Sequence, residues 1–175
     1  AFYKSGSWAN LADWETELKP HYEEALRMLG ATKNPKLFDA DKGLHAVAKE
    51  LNIENKFDRT NVAVYFGEEN VTKKDPYFDG EGPDRTGCNF CGACMTGCRN
   101  NSKNTLDKNY LYLAQKYGTK ILAEHEVIDV KPIGNTTEEN GYEVFIKKST
   151  ALFSKKKRIT TKGVIFSGGV LGTVK

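Results

Sequence analysis

The sequence predicts a mixed α/β (or α+β) fold: N-terminal helices, a cysteine-rich loop, then a sheet that includes an antiparallel β-meander. Three observations carry this reading. Apolar residues recur at helical spacing up to Leu51, β-branched and aromatic residues alternate from Asn61, and all four cysteines fall within residues 88–98. A chain of 175 residues with a 39% hydrophobic share is about one domain in size and long enough to bury a core. The mean hydropathy is −0.57, and no stretch approaches the run of about 20 apolar residues that a membrane span needs. Ala1-Phe2-Tyr3-Lys4 lacks the basic-then-apolar order of a signal peptide, so the chain reads as cytoplasmic. A net charge of +3 is too small to argue for a nucleic-acid partner, and Lys155-Lys156-Lys157-Arg158 reads as the solvated shoulder of a hairpin. There is no initiator Met, and the chain stops at Gly172-Thr173-Val174-Lys175 after an apolar run and a glycine-rich turn. It therefore reads as a fragment, with the remaining N- and C-terminal segments of the same protein as its partners.

In chain order, Trp14, Leu18, Tyr22, Ala25, Leu26 and Leu29 mark a first helical stripe, with Asp13 as its cap and Gly30 as its stop. Pro20 predicts a break near Lys19 and a second helix that starts with the proline. The next helix is expected over about Asp41 to Leu51, burying Leu44, Val47, Ala48 and Leu51 and leaving His45 on the polar side as a surface residue. Asn61 to Phe66 reads as a strand. Between Gly67 and Gly87 the turn signals Asp75-Pro76 and Gly80-Glu81-Gly82-Pro83 predict a long loop, with Tyr77 and Phe78 covered by something apolar. A helix follows over about Leu106 to Tyr117, with Tyr110, Leu113 and Ala114 inward and Gly118 as its stop. Lys120 to Val130 reads as a strand and Gly134 to Asn140 as a polar turn. Tyr142 to Lys148 and Lys157 to Thr161 form a hairpin or meander around a bend at Thr150 to Lys156. Gly163-Val164-Ile165-Phe166 has the continuous apolar character of a parallel-sheet strand, and it leads into the glycine-rich turn Ser167-Gly168-Gly169-Val170-Leu171-Gly172-Thr173.

Thiols crowded at C-x2-C-x2-C-x3-C make Cys88, Cys91, Cys94 and Cys98 candidate metal ligands. The spacing matches the bacterial ferredoxin run for a 4Fe-4S cluster. Two features depart from it: Arg99 stands where proline usually follows, and in two-cluster ferredoxins the fourth cysteine serves the other cluster, for which this chain has no second set. Tetrahedral zinc is the second reading, and one or two local disulfides the third. Arg99 and Lys103 favour charged thiolates, which helps metal capture and oxidation alike. In the isolated chain the expectation is an incomplete site with no intact cubane, the thiols being free, paired or holding adventitious zinc; in a two-cluster arrangement Cys98 would point away from the cube.

Three segments carry a family resemblance. Asn104-Thr105-Leu106-Asp107-Lys108-Asn109-Tyr110-Leu111, Glu124-His125-Glu126-Val127-Ile128-Asp129-Val130 and Val164-Ile165-Phe166-Ser167-Gly168-Gly169-Val170-Leu171-Gly172-Thr173 resemble the flavin-binding part of the glucose-methanol-choline (GMC) oxidoreductases, nearest the cholesterol oxidase-like branch. Residues 61–175 carry most of the likeness, and residues 1–60 resemble the helical stretch that precedes it in cysteine-bearing members. Ser167 and Gly168 stand where the family's final turn usually has other small residues.

The resemblance implies part of an FAD-dependent dehydrogenase or oxidase that moves a hydride from an alcohol carbon to the flavin while a base takes the hydroxyl proton. The substrate would be a small-molecule or sterol-like alcohol. It further implies a helical segment over 1–60, a strand, loop, cysteine segment and helix over 61–118, and part of the FAD-binding domain over 119–175. Val127 would meet the adenine through its backbone, and Ser167, Gly168, Gly169 and Gly172 would approach the cofactor. The family's G-x-G-x-x-G fingerprint and its catalytic His and Asn pair match nothing in this chain, so His21, His45 and His125 receive no catalytic role and His125 is read as orienting its strand. The isolated chain is accordingly expected to be inactive and to bind FAD poorly. The competing class is an electron-transfer or metal-binding module whose working part is the cysteine site and which shares only topology with flavoenzymes.

Overall fold

A computed structural model describes residues 6–134, 140–169 and 171. The chain divides into two compact units, Ala1–Thr119 and Lys120–Lys175.

The first unit opens with helix α1, Trp14–Met28. Asp13 caps it, accepting from the Thr16 N–H at 3.4 Å and the Thr16 hydroxyl at 2.7 Å. At the other end the Gly30 N–H reaches Arg27 O at 2.9 Å and the Ala31 N–H reaches Leu26 O at 2.9 Å, a Schellman closure that needs the positive φ of Gly30. The expected break near Lys19 does not occur, and Pro20 sits inside one continuous helix. An interior proline costs about 3 kcal/mol. Pro20 leaves the Thr16 carbonyl without its helical N–H donor, while a break at Lys19 would add two further helix ends to be satisfied.

Helix α2 runs over Asp39–Glu50, with Asp41 reaching back to the Phe38 N–H at 2.9 Å. Its stripe has the expected period, yet Leu44, Val47 and Leu51 are 63%, 50% and 62% exposed. No element among the described residues covers that face, so helical period alone did not determine burial. His45 is half-buried: it pairs with Glu54 at 2.8 Å and stacks on Phe57 at 4.6 Å.

Strand β1, Thr32–Lys33, pairs antiparallel with β2, Asn61–Val62, so residues 1–60 and 61–118 fold as one unit. The strand expected over Asn61 to Phe66 is ladder-paired only at its start. Beyond Val62 the chain changes partner: Tyr65 N–H donates to Ser102 O at 2.8 Å, Asn104 N–H to Ala63 O at 2.8 Å, and Cys88 N–H to Tyr65 O at 3.0 Å. These three bonds hang the cysteine segment on residues 63–65.

The expected long loop contains a small ladder, β3 at Thr72–Lys73 against β4 at Arg85–Thr86. Its turn is organised by Asp75, whose carboxylate accepts from the backbone N–H groups of Tyr77 at 3.1 Å, Phe78 at 3.0 Å, Gly80 at 2.7 Å and Gly82 at 2.9 Å. Tyr77 and Phe78 are half-buried, and Tyr77 meets Tyr65 edge-on at 6.0 Å. The helix expected over Leu106 to Tyr117 is interrupted. A 3-10 turn at Leu106–Lys108 gives way at the buried Asn109 to helix α3, Tyr110–Lys116, because the Asn109 carboxamide oxygen caps the Tyr110 N–H at 2.6 Å. Tyr110 consequently points outward, while Leu113 and Ala114 are half-buried.

The second unit is a three-stranded antiparallel meander: β5 at His125–Pro132, β6 at Tyr142–Lys148 and β7 at Lys157–Thr161, in the order β5-β6-β7. Residues 120–124 precede the strand rather than belong to it. Ile146 on the central strand is buried, and the register slips between Val127 and Asp129. The basic shoulder is partly engaged, with Lys156 lying 4.0 Å over the Phe145 ring and Arg158 bonded to Glu143 at 2.7 Å. The expected parallel strand at 163–166 is absent among the described residues: it has no hydrogen-bonded neighbour, and Ile165 is 91% exposed. A strand exists only through its partner, and a continuous apolar run cannot supply one. No helix among the described residues is long and apolar enough to cross a membrane.

The Asp75 turn gives a pH-dependent stability. Burial pushes this carboxyl up, but the four N–H donors outweigh it and hold the folded pKa below its ordinary value. A depressed folded pKa means that the contribution is complete above the unfolded pKa and is lost as pH falls through the folded one. Asp75→Asn should lower stability by about 1–3 kcal/mol at neutral pH and much less in acid, as read by urea denaturation of the two proteins at both pH values.

Candidate functional site

The cysteine segment projects from a polar clamp. Arg85, on β4, is only 1% exposed, and among the described residues no carboxylate forms an ion pair with it, Asp107 acting on it only from a distance. Its guanidinium donates to Asn104 Oδ1 at 2.9 Å, to Asn101 Oδ1 at 2.7 Å and to the Lys103 carbonyl. Burial pushes its pKa down, yet a guanidinium stays charged, so a buried cation is being held by neutral oxygens. The partners are themselves tied: Asn104 Nδ2 donates to Leu29 O at 3.0 Å, Asn101 Nδ2 to Asp84 O at 2.9 Å, and Asn100 Nδ2 to Gly87 O at 2.8 Å. Gly87 is required, because a Cβ there would lie 1.9 Å from Glu68 O. Residues 85–87 and 100–104 thus form a closed base, and residues 88–99 are the loop that it holds.

Within the loop the Phe90 N–H donates to Cys88 Sγ at 3.4 Å, the Ser102 N–H to Cys98 Sγ at 3.3 Å, and Lys103 Nζ to the Cys94 carbonyl at 3.0 Å. All four cysteines, together with Phe38, Val62, Val64, Phe66 and Phe90, line a cavity of about 460 Å³. Phe90 stacks on Phe66 at 5.5 Å, and Lys36 Nζ lies 3.7 Å from the Phe90 ring centroid. The four thiols are free, and Cys91 is the exposed one. Burial, helped by the other three thiols, pushes the Cys88 thiol up. For Cys98 burial acts in the same sense but is outweighed by the N–H groups of Lys103, Ser102 and Asn100, which bring it below its ordinary value. Cys98 borders the same cavity as the other three cysteines. Among the described residues no three His, Cys, Asp or Glu side chains are grouped so as to hold a metal ion, so the expectation of a cluster or zinc at the four cysteines finds no support in such a grouping.

The residues expected at the cofactor lie in the second unit. Val127, Ser167 and Gly168 line one cleft of about 630 Å³ with Glu126, Val130 and Phe166. Gly169, next along, has φ +78 and open space where a Cβ would stand. Gly172 lies outside the described residues. The slip at Val127–Asp129 breaks the ladder beside the cleft, leaving strand backbone there unpaired for a ligand. These features fit one wall of a dinucleotide site. His125 is not in this wall; its Nδ1 lies 2.8 Å from Ala123 O at the strand's start.

A family profile described as GMC oxidoreductase matches residues 3–175. The chain belongs to the GMC oxidoreductase family. It is 48% identical over 177 residues to a cholesterol oxidase of Acinetobacter baumannii, covering 98% of this chain and 32% of that protein. It is 37% identical to a cholesterol oxidase of Mycobacterium tuberculosis, over 98% of this chain and 30% of the relative. The chain thus spans about a third of the length of these relatives. No solved structure matches.

Arg85, Asn101 and Asn104 escaped the sequence reading, in which residues 99–103 were merely polar. The one available signal was three asparagines within residues 100–104, side chains that offer acceptors without charge. Arg85→Lys should destabilise the first unit by about 2–4 kcal/mol, because an ammonium cannot reach all three oxygens in the plane of a guanidinium. The measurement is the loss of thermal midpoint relative to Lys103→Arg, a change that keeps the backbone carbonyl acceptor and should cost little.

Proposed function

We propose that the protein carrying this chain is an FAD-dependent oxidoreductase acting on the CH–OH group of a small-molecule or sterol-like alcohol, and that this chain supplies part of the flavin-binding scaffold. The observation that carries the proposal is the family match across residues 3–175, together with 48% identity to a cholesterol oxidase. The cleft adds to it by joining Val127 to Ser167 and Gly168 on one wall. FAD, when bound, supplies the acceptor for a hydride leaving the alcohol carbon. The chain's own part is binding: the Val127 backbone would border the adenine, and the small residues Ser167, Gly168 and Gly169 would leave room for the cofactor to lie against the main chain. Proton transfer from the alcohol falls to groups outside residues 1–175, and no histidine of this chain is assigned to it.

Gly168→Glu in the intact protein should put a charged side chain in the cleft and weaken FAD retention by about tenfold or more, equivalent to about 1.4 kcal/mol. Flavin absorbance per protein after gel filtration measures this, and sterol-dependent bleaching of that absorbance tests the substrate class. Residues 1–175 alone contain no G-x-G-x-x-G turn to seat the pyrophosphate, so this piece should retain little flavin. A near-stoichiometric yellow complex of residues 1–175 would refute the division of labour proposed here.

A further inference from the structure

The cysteine cavity is left unexplained by flavin chemistry, and four observations about it converge. All four thiols border one cavity of about 460 Å³, and the rest of the lining includes Phe38, Val62, Val64, Phe66 and Phe90. The thiols are nevertheless not grouped around a single point that could hold one ion. A lone zinc ion requires its sulfurs about 2.3 Å from one centre and therefore nearly touching each other.

The backbone adds a regularity. Each gap between successive cysteines contains one residue in the left-handed region: Phe90 at φ +57 between Cys88 and Cys91, Gly92 at φ +75 between Cys91 and Cys94, and Gly97 at φ +109 between Cys94 and Cys98. Each such residue reverses the chain, so every side of the loop returns a thiol to the same cavity. A bulky aromatic residue rarely adopts this conformation, and at Phe90 it is maintained by packing on Phe66 and Phe38. Finally, Cys88 and Cys98 each receive a backbone N–H, at 3.4 and 3.3 Å, an arrangement that stabilises negative charge on a ligating sulfur.

We infer that Cys88, Cys91, Cys94 and Cys98 hold a single four-iron, four-sulfide cluster in this cavity, with Cys98 as its fourth ligand. The cavity answers the objection raised by two-cluster ferredoxins, in which the fourth cysteine serves a second cluster, because here the fourth thiol faces the same space as the first three. The aromatic and aliphatic wall would shield the cluster from water, while Lys103, which borders the same cavity, would offset part of the thiolate charge. The inference stands apart from the flavin proposal, since it requires neither FAD nor substrate.

The test is anaerobic purification of the intact protein, with iron and sulfide supplied during reconstitution, followed by metal and acid-labile sulfide analysis and by electron paramagnetic resonance after reduction. About four irons and about four sulfides per chain are expected, with loss of both in Cys91→Ser and Cys94→Ser and no change in far-ultraviolet circular dichroism. Flavin content, measured on the same samples, reports separately on the flavin proposal. One zinc per chain without sulfide would overturn the inference, as would a metal-free protein after reconstitution. Iron and sulfide retained in both serine variants would overturn the assignment of these ligands.

Discussion

A buried guanidinium without a carboxylate is an unusual anchor, and the first unit is arranged around it. Arg85 could have been paired with an acidic residue, but a buried ion pair carries a desolvation penalty on both partners and its net contribution is often close to nothing. Here the charge is spread over the oxygens of Asn101, Asn104 and Lys103, each belonging to the strand of chain that returns from the cysteine loop. Three directional bonds from one planar group define the position and the orientation of that returning strand. Through Asn104 the same group is coupled to the end of α1, and through Asn101 to the backbone just before Arg85 itself.

The helices and the meander were legible because their information is local. Asp13, Gly30 and Gly118 mark helix ends through bonds made within a few residues, and the alternation in Tyr142–Lys148 and Lys157–Thr161 needs only the sheet's two-residue period. What escaped the sequence depends on partners far along the chain. Pro20 reads as a breaker, yet the helix runs through it, and Asn109 reads as one more helical residue until its carboxamide is seen capping Tyr110. The apolar run at 163–166 has the composition of a buried strand, but pairing is a property of two segments. Of the candidate site residues, the cysteines were legible from spacing, whereas the clamp beneath them was not. Arg85 and Asn104 are 19 residues apart, and neither belongs to a recognisable pattern.

The outer faces of α1 and α2 extend the same point. Their stripes carry Tyr22, Leu26, Leu44, Val47 and Leu51, all substantially exposed here. Periodicity describes what a helix offers for burial, and whether the offer is taken depends on what packs against it. The relatives that this chain matches are about three times as long, so such faces have counterparts in proteins with far more surface to place against them.

The contact of Asn104 Nδ2 with the Leu29 carbonyl has a consequence for how the molecule breathes. Leu29 closes α1, and Gly30 leaves room for that amide only because it has no side chain: a Cβ there would stand 2.6 Å from it. The last turn of α1 and residues 101–104 therefore cannot open independently, since separating them strips an acceptor from α1 and a support from Arg85 at once. Coupling of this kind is what joins segments into one hydrogen-exchange foldon, a cooperative unit whose amides open together. The cysteine loop, framed by that unit, inherits its protection from the stability of a helix more than 50 residues upstream.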